Sequence, residues 1–71
     1  MEMIPVNSSN VGSIGYDLES ATLRIEYVKG GIYEYQGVPV DIYEGLVNAG
    51  SKGDYVNQII KKGGYPFAKL S

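Results

Sequence analysis

Leu23-Arg24-Ile25-Glu26-Tyr27-Val28-Lys29-Gly30-Gly31-Ile32-Tyr33-Glu34-Tyr35-Gln36 is the stretch that decides the fold. Leu23, Ile25 and Tyr27 alternate with Arg24 and Glu26, and Tyr33 and Tyr35 alternate with Glu34 and Gln36. Successive side chains of an extended chain point to opposite sides, so this period of two predicts strands with one buried and one wet face. Lys29-Gly30-Gly31 supplies the turn between them. A two-residue loop would set Glu34 and Gln36 beside Ile25. A three-residue loop with glycine in the left-handed conformation pairs Tyr27 with Tyr33 and Ile25 with Tyr35. That register gathers Leu23, Ile25, Tyr27, Tyr33 and Tyr35 on one face and leaves Arg24, Glu26, Glu34 and Gln36 to water. It is the expected one, because a slip of one residue turns every side chain to the other face.

Upstream, Ile14 and Tyr16 alternate with Ser13 and Gly15, which predicts another strand from Val11 to Asp17. Asn7-Ser8-Ser9-Asn10 before it and Asp17-Leu18-Glu19-Ser20-Ala21 after it read as turns. Downstream, Pro39 suits the first position of a helix, where its missing N–H costs nothing. Ile42, Tyr43, Leu46, Val47 and Ala49 follow at helical spacing. Ser51 with Asp54 three residues on resembles a capping box, and Tyr55, Val56, Ile59 and Ile60 give a second helix its apolar side. Gly63-Gly64 stops it. Tyr65-Pro66-Phe67-Ala68-Lys69-Leu70 is too short to assign, as an edge segment or as a tail. The expected fold is α+β. A three-stranded antiparallel meander, about 11–17, 22–28 and 32–37, carries two short helices, about 39–49 and 52–62, packed on one face as the simplest single core.

The chain has 71 residues, an apolar fraction of 44% and neither cysteine, histidine nor tryptophan. One domain spanning 1–71 is therefore expected. Without cysteine there is no disulfide, thiolate metal site or thiol nucleophile. Without histidine the usual general base near neutral pH is missing, and a Ser-His-Asp site cannot be built. So short a chain buries only about 60% of its unfolded surface and leaves little room for a deep cleft. No catalytic residue, metal ligand or cofactor is assigned. No apolar run reaches the ~18 residues of a membrane helix, and Met1-Glu2-Met3-Ile4 lacks the pattern of a signal peptide. The expectation is a cytoplasmic, non-enzymatic protein. Its charge is uneven. Residues 1–50 hold Arg24 and Lys29 against seven carboxylates, a net −5, while residues 51–71 hold four lysines against Asp54, a net +3.

Ile4-Pro5-Val6-x-Ser8-Ser9, Ile14-Gly15-Tyr16-Asp17 and Leu23-x-Ile25-x-Tyr27 with its glycines resemble the KTSC domain. So do Tyr33-x-Tyr35, Gly37-Val38-Pro39, Tyr43-x-x-Leu46 and Ser51-x-Gly53-x-Tyr55-x-Asn57-x-x-Ile60. The match runs from about Ile4 to Tyr65, and its weight lies in the order and spacing of short pieces. The family takes its name from the C-terminus of some lysyl-tRNA synthetases and also occurs as short free-standing proteins in bacteria and phages. The resemblance implies an uncharacterised module for which RNA binding has been suggested, with no catalytic residues to carry over.

Three functional readings follow. In the first, the chain binds RNA through the basic second helix and the C-terminal surface. Lys52, Asn57, Gln58, Lys61, Lys62 and Lys69 would make the contacts, with Tyr33, Tyr35 and Tyr55 as stacking partners. The competing assignment for these tyrosines is core, with hydroxyls reaching the rim. In the second, the acidic first fifty residues dock a protein partner, as in a small phage or mobile-element inhibitor. In the third and weakest, a small nucleotide is held at a subunit interface. Glu26 and Glu34, expected near each other on the outer face beside Arg24, are assigned to solubility rather than to acid–base chemistry.

Overall fold

The predicted hairpin is present as β3 (Thr22–Tyr27) and β4 (Gly31–Tyr35), in a computed structural model that describes residues 1–71. Its register pairs Ile25 with Tyr33, Leu23 with Tyr35 and Tyr27 with Gly31. This lies two residues from the expected pairing of Tyr27 with Tyr33 and Ile25 with Tyr35. The loop is Val28-Lys29-Gly30, and Gly31 closes it with φ 81°, a backbone angle that disfavours side chains. A shift of two leaves every side chain on its predicted face, because the strand repeats every two residues. It does change the neighbours: Tyr27 stands opposite a residue with no side chain.

The sheet is larger than the sequence suggests. It has five antiparallel strands in the order β1 (Ile4–Pro5), β2 (Val11–Asp17), β3, β4 and β5 (Phe67–Lys69), not three. The lead-in forms β1, pairing Ile4 with Ile14. The C-terminal segment returns as β5, pairing Phe67 with Tyr35 and Lys69 with Tyr33. Strands of two and three residues are too short to show a period, so alternation could not announce them.

Helix α1 (Val40–Asn48) starts with Pro39 at its cap rather than inside it. Helix α2 (Lys52–Tyr55) is capped by the Ser51 hydroxyl, which accepts from the Asp54 amide at 3.3 Å. The chain then continues as a π-wound turn, Val56–Lys61. The helices cover one face of the sheet. Between them lie Val11, Ile14, Leu23, Ile25, Tyr35, Val38, Leu46, Val56 and Ile60, all buried. On the outer face Arg24 forms an ion pair with Glu34 at 2.6 Å. Glu26 does not join that pair, since it accepts from the Ser13 hydroxyl at 2.6 Å.

Three tyrosines lock α1 in place. Tyr16 stacks on Tyr43 with ring centres 4.7 Å apart, and its hydroxyl donates to the Val38 carbonyl at 2.5 Å. The Tyr55 hydroxyl donates to the Ile42 carbonyl at 2.8 Å. Gly45 is the helix residue under that phenol, and a methyl group there would overlap its oxygen.

Candidate functional site

The sheet extends sideways past the helical layer, toward β4 and β5. Leu23 and Ile25 pack with Leu46, Val56 and Ile60, whereas Tyr33, opposite Ile25 on β4, and Phe67 on β5 lie to one side, beside Lys61. The result is an aromatic groove of about 410 Å³, lined by Tyr27, Tyr33, Tyr35, Tyr65 and Phe67 with Ile60, Lys61 and Gly30. Gly31, opposite Tyr27, lies outside it, with the Ser71 backbone where a side chain would be. The π-wound turn ends beside this groove at Lys61, and such turns are frequent at functional sites.

The rings differ in how firmly they are held. Tyr35 is 3% exposed, and its hydroxyl is hydrogen-bonded to that of Tyr27 at 2.8 Å. Burial raises the pKa of both phenols, for Tyr27 strongly and with help from this hydrogen bond, so both stay neutral at physiological pH. Tyr33 meets Tyr27 edge to face, with centres 5.6 Å apart. Phe67 lies 6.0 Å from Tyr33 and 5.8 Å from Tyr35, yet it is 64% exposed. A phenylalanine that open adds little to stability.

Two further grooves continue from the first. The second, about 450 Å³, shares Tyr27, Gly30 and Lys61 with it and adds Lys29, Asn57, Gly53, Ser9 and Asn10. The third, about 220 Å³, shares Ser9, Asn10 and Gly53 with the second and adds Asn7, Ser8, Ser51 and Lys52. Ser8 fixes this polar loop by accepting from the amides of Asn10 and Val11, and Gly53 lets Asn10 lie directly against α2. No carboxylate lines any of the three grooves, although the chain carries 8 acidic against 6 basic residues. The Lys61 ammonium sits 5.4 Å from the centre of the Tyr27 ring and lines both larger grooves.

The residues singled out in the sequence are thus divided. Lys61 and Asn57 line the grooves, as does Lys52, whose ammonium also donates to the carbonyls of Val47 and Ala49 at 3.2 Å each. Tyr33 and Tyr35 line the aromatic groove, but only Tyr33 has an accessible ring. Tyr55 is elsewhere, pinning the two helices together. Lys69 stands opposite Tyr33 on β5, while Gln58 and Lys62 are exposed outside the three grooves. Tyr27, Lys29, Tyr65 and Phe67 join the site although the sequence does not mark them as binding residues. Tyr27 falls on the core face of its strand, and Tyr65 and Phe67 reach the site only through the return of β5. No three carboxylates come together in a set that could hold a metal ion, and no helix is long and apolar enough to cross a membrane.

A small α+β domain with this order of motifs fits one family, and the comparisons agree. The family model for the KTSC domain matches residues 7–65, and the chain belongs to that family. It is similar to a KTSC domain protein from Yersinia pestis of known crystal structure, at 36% identity and a TM-score of 0.93, covering 99% of this chain and 97% of that one. An uncharacterized protein of Stutzerimonas stutzeri is 33% identical over 99% of both chains. A lysine–tRNA ligase of Nostoc punctiforme is 38% identical over 97% of this chain, which spans only 12% of the ligase. The domain therefore exists both as a small protein and as a part of a larger enzyme.

Proposed function

We propose that the chain is a non-catalytic module that binds single-stranded RNA along the carboxylate-free band, working in the cytoplasm. The observation that carries this reading is the band itself. In an acidic protein, Lys29, Lys52 and Lys61 line a continuous run of grooves from which every carboxylate is missing. A polyanion is repelled by the rest of the surface and attracted there. Asn57, Asn10 and the serines add donors for phosphate and sugar oxygens. Gln58, Lys62 and Lys69 flank the band and extend the contact. The similarity to a segment of a lysine–tRNA ligase supports the same reading, since that enzyme's name places it beside an RNA.

The test is titration of a labelled RNA of about eight nucleotides at several salt concentrations. Contacts from three lysines give a log–log slope of about −2 with salt, at about −0.7 per phosphate on a single strand. Lys29→Ala and Lys61→Ala each reduce that slope by about 0.7. Affinity at low salt no better than that of an unrelated acidic domain removes the proposal.

A second reading rests on a different observation. β5 leaves one edge of the sheet unpaired, with Phe67 and Leu70 exposed along it. Such an edge favours docking of another chain. Capture from lysate with and without nuclease separates the two, because a protein partner survives nuclease and an RNA-borne one does not.

A further inference from the structure

We propose that the aromatic groove receives one unpaired nucleobase, stacked on the surface that Phe67 and Tyr33 form side by side, and so makes the module prefer unpaired over paired RNA. This rests on the RNA reading above and assigns the groove a role that charge alone does not give it. Phe67 is 64% exposed, so its ring face at the groove rim is open to a ligand. Its neighbours are aromatic.

The volume, about 410 Å³, lies near the lower end of the range for small-ligand clefts, roughly 300–1,000 Å³. That suits a single planar ring system. The faces of a paired base are covered by its neighbours in a helix, whereas an unpaired base can be splayed out and stacked on an aromatic side chain. Tyr27 and Tyr35 bring hydroxyl groups to the same groove, and each oxygen can still accept one more hydrogen bond after bonding the other. A base edge carries the donors to meet them. Charge complementarity selects a nucleotide over a plain apolar ligand. Lys61 stands where the aromatic groove meets the polar one, so a base on one side of it leaves its phosphate on the other.

The experiment compares two labelled RNAs with equal phosphate counts, a single strand of about eight adenylates and the same strand with abasic sites, and adds the duplex of that strand with its complement. The intact strand is expected to bind about 5- to 100-fold more tightly than either other form, the size of one stacked base. Phe67→Ala and Phe67→Leu lower it to the abasic level with the salt slope unchanged, and Phe67→Trp binds at least as well as the parent. Because Phe67 is so exposed, these variants are expected to fold, and a thermal melt confirms it. Equal affinity for intact and abasic strands overturns the base pocket and leaves the electrostatic reading standing. Full binding by Phe67→Leu overturns it as well. Loss of all RNA binding in the parent protein removes both. A dimer that Phe67→Ala abolishes and RNA does not displace shows the groove filled by a second copy, and that too overturns the pocket.

Discussion

The molecule uses its seven tyrosines in two different ways. At one end Tyr16, Tyr43 and Tyr55 surround α1, and the hydroxyls of Tyr16 and Tyr55 donate to the backbone carbonyls of Val38 and Ile42. At the other, Tyr27, Tyr33, Tyr35 and Tyr65 line an open groove with Phe67. The residue type is the same, but the cover differs. A phenol whose oxygen serves a backbone carbonyl fixes the orientation of a helix. A phenol beside the helical layer leaves a ring face uncovered. What separates the two ends is the width of the sheet relative to the helices above it.

Substitutions that separate the two ends test this division. Leu46→Ala, on the buried side of α1, is expected to cost about 2–5 kcal/mol, close to the whole stability of so small a domain. Phe67→Ala at the open end should stay within about 0.5 kcal/mol. Chemical denaturation measures both, and similar losses would show that the groove is core. Gly45→Ala is the next largest. In an open helix this change stabilises by about 0.5–1 kcal/mol, but here the methyl overlaps the Tyr55 hydroxyl and the expected result is a loss of about 1–3 kcal/mol. Adding Tyr55→Phe should return part of that loss, which a double-mutant cycle detects. Tyr55→Phe alone is expected to cost about 0.5–1.5 kcal/mol with RNA affinity unchanged.

The gentlest test is pH. Burial raises the pKa of Tyr27 and Tyr35 at the open end and of Tyr16 and Tyr55 at the closed end. A phenol with a raised folded pKa keeps its proton when folded and releases it when unfolded. The folded state is therefore undisturbed below the unfolded pKa of about 10 and loses stability as pH rises above it. Thermal melts are expected to hold steady through neutral pH and to fall above about pH 10, with phenolate absorbance rising together with unfolding. A midpoint insensitive to pH across that window would contradict the buried character of these rings.

How far the sequence could be read depended on the length of each pattern. The hairpin of Leu23, Ile25, Tyr27, Tyr33 and Tyr35 was legible because five residues repeat one period. Its pairing was misread by two residues, an error that parity hides. Ser51 with Asp54 announced the second helix by local chemistry alone. β1 and β5 were illegible, since Ile4–Pro5 and Phe67–Lys69 have no period to read and each exists only because a neighbouring strand offers an edge. The site suffered for the same reason. Asn57 and Lys61 show on a helical wheel, but Phe67 and Tyr65 meet Tyr33 through pairing distant in sequence.

Arg24 and Lys61 hold their charges differently. Arg24 faces Glu34 across two strands, so its field is cancelled at close range and any anion approaching it must first displace a carboxylate. Lys61 rests against the neutral ring of Tyr27 instead. The π cloud steadies the ammonium without subtracting from its charge, and an arriving phosphate meets no resident competitor. Posture without neutralisation gives this acidic protein a standing electropositive point, ready before any ligand arrives.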